Sequence, residues 1–228
     1  MEPWWGRLVG CFAFQRNNTT RRYEYPWAFE AIRPSAGLKV LEIGGSLSGF
    51  QFALDRAGCD VVNVDPGDES FAGRWHPTPA NVTRLNSIFG TKVDFKPCYL
   101  AEARFPDASF DRVVSVSVFE HIPEDALAGI LAEVHRVLRP GGLLVLTVDL
   151  FLNVVPFEVA RSNEYGHNVS VKWIVDTSRL ELIHGDTREL FGYPDFDWRA
   201  IAGRRTQYLV GKYPSMIQTI VLRKPVTG

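Results

Sequence analysis

Cysteine is scarce in this chain of 228 residues. Only three occur, at widely separated positions: Cys11, Cys59 and Cys98. Cysteine pairs separated by two residues are the usual mark of a zinc site, and an even, regularly spaced set marks a disulfide framework. Neither pattern occurs in the sequence. We therefore expect buried, unreactive thiols, a reducing compartment and no metal site.

An excess of charge of either sign is also missing. The 25 lysines and arginines nearly match the 26 aspartates and glutamates, and the formal net charge is −1. A balance of this kind provides no overall attraction to nucleic acid or to an anionic membrane. We expect no nucleic-acid partner and a substrate that is not a polyanion.

Long apolar runs are absent from the sequence as well. No stretch approaches the roughly 20 apolar residues that a membrane-spanning helix requires. The first residues lack the basic start and the continuous apolar stretch of a secretory signal. The sequence therefore predicts a cytoplasmic protein that has no membrane partner.

From residue 38 onward, apolar strand patterns alternate with amphipathic helix patterns. Strands are expected at 38–43, 60–65, 92–97, 111–118, 143–148, 180–184 and 216–222, and helices at 48–57, 78–89, 123–138 and 169–175. Strands that alternate with helices are joined by right-handed crossovers and form a mostly parallel sheet that is covered on both faces. The length suits one α/β domain with a small addition.

An aromatic and arginine-rich stretch precedes the first strand. We predict that residues 1–36 form an N-terminal cap over a single domain at residues 37–228. Within this domain, the irregular aromatic stretch 185–214 is a candidate insertion that faces the substrate.

Residues 38 to 65 read as a strand, a glycine turn, a helix and a second strand that ends in a carboxylate. Asp65 follows Gly45 by about 20 residues, which is where nucleoside-binding βαβ units place the acid that binds the ribose hydroxyls. Ligands of such sheets bind outside the carboxyl ends of the strands. We therefore predict the binding site at that edge of the sheet.

Five short motifs follow one another along residues 38 to 150. They read Val40-Leu41-Glu42-Ile43-Gly44, Asp65, Phe105-Pro106-Asp107-Ala108-Ser109-Phe110-Asp111, Ser117-Val118-Phe119-Glu120-His121-Ile122 and Leu138-Arg139-Pro140-Gly141-Gly142. In this order and spacing they resemble the class I S-adenosylmethionine-dependent methyltransferases. The resemblance implies an α/β fold: a Rossmann-like, doubly wound, mostly parallel seven-stranded sheet with an antiparallel C-terminal strand and helices on both faces. It also implies S-adenosyl-L-methionine as the cofactor and S-adenosyl-L-homocysteine as the product.

The resemblance assigns the end of the first strand to the methionine part of the cofactor. Glu42 would offset its positive charge, and the backbone amides of Gly44, Gly45, Ser46 and Ser48 at a helix N-terminus would meet its carboxylate. Serines occupy two positions at which the family usually has glycine. We therefore expect a differently shaped turn, in which Gly45 and Gly49 adopt the positive-φ torsions that favour glycine.

Further cofactor contacts follow from the later motifs. Asp65 would accept hydrogen bonds from both ribose hydroxyls, and Leu100 would offer its backbone amide and apolar side to the adenine. Tyr99 has two open interpretations: its hydroxyl contacts the purine amino group, or its ring only packs. The residues from Ser117 to His121 lie where the methyl group should point, and Ser117 is counted among the cofactor contacts. Tyr25, or its neighbour Tyr23, would contact the cofactor carboxylate or the acceptor.

His121 and Asp149 are the candidate catalytic residues. A histidine of ordinary pKa suits proton removal at neutral pH, but a structural role for His121 stays open, and an amine acceptor would need no base. The cap and the loops predict a partly enclosed, aromatic-lined site for a small molecule. A sugar or an intermediate of glycan or natural-product synthesis, methylated on oxygen or nitrogen, fits this description.

Two other functions are compatible with part of the sequence. Gly44, Ser46 and Gly49 fall on the frame of the dinucleotide-binding glycine motif, so a nicotinamide-dependent oxidoreductase is one alternative. Ser46 at the middle position and the nearby charge of Glu42 disfavour it. The other alternative is a binding module that keeps the fold without catalysis. The sequence does not specify the acceptor.

Overall fold

The computed structural model describes residues 10–13, 19–67, 76–187, 198–210 and 212–226. The strands are β1 (Lys39–Ile43), β2 (Asp60–Val64), β3 (Asp94–Lys96), β4 (Phe110–Val116), β5 (Leu138–Phe151), β6 (Glu181–His184), β7 (Leu209–Val210) and β8 (Tyr213–Arg223). The helices are α1 (Arg21–Ile32), α2 (Gly49–Arg56), α3 (Pro79–Phe89), α4 (Glu124–Val137), α5 (Val171–Ser178) and α6 (Trp198–Ala202).

Seven strands lie side by side in the order β3-β2-β1-β4-β5-β8-β6, and the short β7 pairs with the start of β8. Strands β1 to β5 are mutually parallel, whereas β8 runs antiparallel between β5 and β6. The predicted fold class is confirmed, including the antiparallel C-terminal strand.

The sheet is covered on both faces, which explains why its strands read as nearly continuous apolar runs. Successive strand residues point to opposite faces. Leu41 belongs to a core shared with α4 and α5, whereas its neighbour Val40 belongs to a second core shared with α1, α2 and α3.

Local sequence signals set several element boundaries. Thr78 caps α3, because its side chain accepts a hydrogen bond from the backbone N–H of Asn81 at 3.2 Å, and Gly90 ends the helix with φ 69°. Strand β5 is longer than the predicted 143–148 at both ends. Its Leu138 pairs with Phe110 of β4, and β8 pairs with it from Leu143 to Phe151. Tertiary pairing of this kind has no local signal.

Helix α1 connects the N-terminal segment to the sheet. Its Ala28 and Ile32 are fully buried in the second core. Parts of the proposed cap (1–9 and 14–18) and of the proposed insertion (188–197 and 211) lie outside the described residues. The division into a cap, a domain and an insertion therefore stays a prediction. Within the described ranges, no helix has both the length and the apolar character required to cross a bilayer.

Candidate functional site

A cavity of about 310 Å³ lies at the carboxyl ends of β1 and β4. This is the edge at which the sequence predicts the site. The lining residues come from α1, the turn after β1, α3 and the end of β4: Arg21, Tyr25, Glu42, Gly44, Gly45, Ser46, Leu47, Ser48, Leu85, Val116 and Ser117. Most of the predicted contacts for the methionine part of a cofactor therefore lie around one cavity.

The turn after β1 differs from the predicted shape. The positive-φ residues are Gly44 (φ 71°) and Ser46 (φ 46°), so the expectation that Gly45 and Gly49 take these torsions is wrong. Both glycines are required for close packing instead. A Cβ atom on Gly45 would lie 2.7 Å from the Glu42 carboxyl carbon, and one on Gly49 would lie 2.5 Å from the Cys11 carbonyl oxygen.

Two buried amide side chains hold this turn against the sheet. The Asn63 side-chain oxygen accepts from the Gly45 backbone N–H at 3.2 Å, and its amide nitrogen donates to the Ser46 carbonyl at 3.0 Å. The Gln51 side chain donates to the same Ser46 carbonyl at 2.9 Å and accepts from Asn63 at 3.0 Å. Because the turn is fixed by side chains beneath it, Ser46 can be kept in a conformation that an isolated serine disfavours.

Asp65 lies directly beyond the end of β2 and contacts the same turn. One carboxylate oxygen accepts from the Ser46 backbone N–H at 2.8 Å, and the other accepts from the Gly67 backbone N–H at 2.8 Å. A carboxylate oxygen has more than one lone pair. Asp65 can therefore bind this loop and still accept hydrogen bonds from a ligand.

Glu42 is the acidic residue of the cavity lining and is only 2% exposed. Its Oε1 accepts from the Ser48 hydroxyl at 3.3 Å, whereas Oε2 has no hydrogen-bond partner among the described residues. Burial raises the pKa of Glu42 to about 8; the Ser48 hydrogen bond opposes this shift and the negative charge of Asp65 adds to it. A buried carboxylate with an unused oxygen fits a ligand that carries positive charge or N–H donors.

A buried polar cluster adjoins the cavity on the side of α1. The Glu24 carboxylate accepts from Arg21 at 2.5 Å, from the Ser117 hydroxyl at 2.5 Å and from the Thr147 hydroxyl at 2.6 Å. Arg21 also donates to the Ser117 hydroxyl. Ser117 has a positive φ of 47°. The cluster joins α1 to the ends of β4 and β5.

The two candidate tyrosines of α1 differ in their surroundings. Tyr25 is 8% exposed, lines the cavity, and stacks on Phe50 with ring centroids 5.3 Å apart. Tyr23 is 55% exposed. The structure therefore brings Tyr25, and not Tyr23, to the cavity.

The predicted adenine contacts lie apart from the lining residues. Tyr99 is 64% exposed and Leu100 is 4% exposed, packed into the first core. Tyr99 begins a short 3₁₀ helix, and its backbone N–H donates to the Glu102 carboxylate at 2.9 Å. This arrangement leaves the Tyr99 ring at the surface rather than packed against the sheet.

His121 and Asp149 also lie outside the cavity lining. The Nδ1 atom of His121 is bonded to the backbone carbonyl of Tyr165, so that Nδ1 carries a proton and Nε2 is the basic nitrogen. Partial dehydration lowers the pKa of His121; the Tyr165 bond opposes this effect, and the charges of Arg21 and His167 add to it. His121 is therefore mostly neutral at pH 7.

Asp149 faces other acidic groups. Burial and the charge of Glu24 raise its pKa to about 6, against the opposing effect of Arg21. Glu120 is fully buried and accepts from the Asp149 backbone N–H at 3.0 Å. Burial, together with the charge of Asp149, raises the pKa of Glu120. Both carboxyl groups therefore keep their protons to a higher pH than an exposed carboxyl does.

Several site residues were not found by sequence reasoning, namely Arg21, Glu24, Gln51, Asn63, Glu120 and Thr147. Asn63 had a usable signal, since it interrupts the apolar strand Val61-Val62-Asn63-Val64 at a buried position. Arg21 and Glu24 lie three positions apart in the sequence, a spacing found on any helix surface. Their burial depends on tertiary packing.

Residues 41–146 match the family model described as a methyltransferase domain. The sheet order and the cavity at the carboxyl ends of β1 and β4 agree with this match. Over this range, the resemblance to class I methyltransferases inferred from the motifs is confirmed.

Each of these curated relatives matches this chain over only part of its own length. Sterol 24-C-methyltransferase of Yarrowia lipolytica is 30% identical over 126 residues, covering 54% of this chain and 30% of the relative. An uncharacterized methyltransferase of Mycolicibacterium paratuberculosis is 32% identical over 159 residues, covering 64% of this chain and 57% of the relative. The chain thus spans from about a third to somewhat over half of the relatives it matches.

Solved structures show the same fold at low sequence identity. The 1,6-didemethyltoxoflavin-N1-methyltransferase of Burkholderia thailandensis, with its substrate and S-adenosylhomocysteine bound, has a TM-score of 0.63 at 17% identity, covering 92% of this chain and 80% of that one. The [4+2]-cyclase SpnF has a TM-score of 0.66 at 15% identity, covering 93% and 86%. Because a cyclase shares the fold, the fold alone does not specify methyl transfer.

The burial of Glu42 predicts a dependence of stability on pH. A carboxyl whose folded-state pKa is about 8 binds a proton on folding at any pH between its ordinary 4.5 and 8. Its contribution to the free energy of unfolding therefore decreases as the pH rises through this window, by up to about 1.4 kcal/mol per pH unit. Replacing Glu42 with Gln removes this dependence.

Urea unfolding at several pH values between 5 and 8 measures the effect. The Glu42→Gln variant should gain stability relative to the wild type as the pH rises. Glu30→Gln, a change at an exposed position of α1, is the control and should run parallel to the wild type. Parallel curves for Glu42→Gln as well would contradict the assigned burial of this carboxyl.

Proposed function

We propose that this protein is an S-adenosyl-L-methionine-dependent methyltransferase that acts on a small-molecule acceptor. The observation that carries the proposal is the buried, partly unpaired Glu42 carboxylate beside a turn of backbone amides, with Asp65 at the end of the next strand. The match of residues 41–146 to a methyltransferase domain supports it. The bound S-adenosylhomocysteine named for the Burkholderia structure supports the choice of cofactor.

Each charged part of the cofactor has a counterpart in the chain. Glu42 would offset positive charge of the methionine part, and the turn from Gly44 to Ser48, at the N-terminus of α2, would contact the carboxylate. Asp65 would accept from the ribose hydroxyls. When bound, the cofactor supplies an electrophilic methyl group whose transfer removes the positive charge of the sulfonium.

The remaining assignments complete the same proposal. Tyr99 and Leu100 would flank the adenine, and Ser117 and Tyr25 would border the methionine part. Ser117 and Tyr25 lie in the cavity wall, which supports their assignment. Tyr99 would have to contact the base from its exposed position.

The chain contributes to the reaction first by positioning its reactants. Correct alignment of two reactants can be worth roughly 7–11 kcal/mol of the barrier, whereas a positioned general base contributes about 10²- to 10⁴-fold in rate. An amine acceptor needs only the alignment of the reactants. A hydroxyl acceptor also loses a proton, which Asp149 or the Nε2 of His121 would accept.

Acceptor identity is the least constrained part of the proposal. The Burkholderia enzyme was solved with bound 1,6-didemethyltoxoflavin, and the Yarrowia relative is named for a sterol. Near-neutral charge favours a small acceptor over a nucleic acid. We propose methylation at oxygen or nitrogen of a small metabolite such as a sugar or an intermediate of glycan or natural-product synthesis.

A nicotinamide-dependent oxidoreductase fits the structure less well. The common dinucleotide-binding sheet has strand order 3-2-1-4-5-6 without an inserted antiparallel strand, whereas here β8 is inserted between β5 and β6. The Glu42 carboxylate would also lie close to a pyrophosphate. The other alternative is a binding module without catalysis. Such a protein would bind S-adenosyl-L-methionine and transfer no methyl group.

Removal of the Asp65 carboxylate tests the cofactor assignment. Charge-assisted hydrogen bonds contribute about 1.5–3 kcal/mol each, so Asp65→Ala should weaken S-adenosylhomocysteine binding by about tenfold or more. Isothermal titration calorimetry measures this loss. Asp60→Ala, at the exposed opposite end of β2, is the control. Wild-type protein that fails to bind the cofactor at all would overturn the proposed function.

A second experiment separates the two candidate bases. If Asp149 is the base, kcat for a hydroxyl acceptor should rise as the pH passes about 6, the raised pKa of this carboxyl. Asp149→Asn should remove this rise and lower kcat by about 10²-fold or more. His121→Asn should then have a small effect, whereas the reverse pattern would assign the role to His121. Unchanged kcat in both variants would contradict a base at either residue.

A further inference from the structure

Glu24 lies in a place where a carboxylate is costly. Its side chain is fully buried on α1 and faces the sheet. Its hydrogen bonds come from three elements of the fold: Arg21 on α1, Ser117 just after β4 and Thr147 on β5. The two hydroxyl groups and the guanidinium together satisfy the charge.

Stability alone is a poor explanation for such a group. Buried ion pairs can often be replaced by well-packed apolar residues without loss of stability, and α1 already buries Ala28 and Ile32 in the core. Ser117 also adopts a positive φ, which is unfavourable for a residue with a side chain. Glycine would suit this backbone better, but it would lack the hydroxyl that donates to Glu24.

Arg21 connects this cluster to the cavity. Its side chain is 21% exposed, in contrast to the fully buried Glu24. Arg21 is the basic residue among those that line the cavity, and Glu42 is the acidic one. The methionine part of S-adenosylmethionine carries a carboxylate, an ammonium and a sulfonium. Its one negative group matches the guanidinium of Arg21, and its positive groups match the carboxylate of Glu42.

We infer that Glu24 is a positioning residue: it holds the guanidinium of Arg21 at the cavity wall, where Arg21 receives the carboxylate of the cofactor's methionine part. Glu24 itself does not reach the cavity lining and acts through Arg21 and Ser117. This inference rests on the proposed function. It assigns to α1 a direct part in recognition of the methionine part.

Two ligands that differ only at the methionine end test the inference. S-adenosylhomocysteine has the amino acid part, whereas 5′-methylthioadenosine lacks it. Glu24→Gln keeps the shape of the side chain and removes its charge, so that Arg21 loses its ionic anchor. Calorimetry should show S-adenosylhomocysteine bound about tenfold or more weakly, with the affinity for 5′-methylthioadenosine changed by less than about twofold.

Matched variants separate this role from general destabilisation. Thr147→Val removes one donor to Glu24 outside the cavity lining and should weaken S-adenosylhomocysteine binding selectively, to a smaller extent. If Glu24→Gln does not fold, Thr147→Val tests the positioning role of Glu24 in its place. Ser178→Ala removes a buried hydroxyl of α5 and should leave the ratio of the two affinities unchanged. Asp65→Ala should weaken both ligands, because both contain the ribose.

The possible outcomes are distinct. Equal loss of affinity for both ligands in Glu24→Gln and Thr147→Val, or no loss for either ligand, would overturn the positioning role and leave Glu24 as a structural contact. Selective loss of S-adenosylhomocysteine binding would support it. Wild-type protein that binds neither ligand would overturn the proposed function, and the inference would fail with it.

Discussion

The arrangement of the site depends on one constraint, the burial of the Glu42 carboxylate at the end of β1. An isolated charge in this position is unfavourable, and the protein meets it by raising the pKa to about 8 and by donating one hydroxyl from Ser48. The second oxygen is left without a partner among the described residues. Glu42 lines the cavity next to the turn that Asn63 and Gln51 hold in place.

The fold was largely predictable because its signals are local or periodic. Thr78, Pro79 and Gly90 specify both ends of α3, and the spacing of Leu127, Leu131 and Val134 specifies α4. The extension of β5 was not predictable. It depends on pairing with β8, more than sixty residues further along the chain, and no short sequence pattern records such a contact.

The site was predictable where backbone topology decides it, and not where side chains meet across elements. Glu42 and Asp65 follow from their places at the ends of the first two strands. The torsions of the turn did not follow, since Ser46 is held at a positive φ by hydrogen bonds from Asn63 and Gln51 on other elements. The cluster of Glu24, Ser117 and Thr147 joins residues up to 123 positions apart, a distance over which a single sequence gives no signal.

Proton release on cofactor binding is the most direct test of the central claim. Titrations of S-adenosyl-L-methionine at pH 7 in buffers with different ionisation enthalpies report the number of protons exchanged. If the cation displaces the proton that the buried Glu42 retains, the wild type should release more than about half a proton per site, and Glu42→Gln should release none. Binding without proton exchange in the wild type would contradict the account.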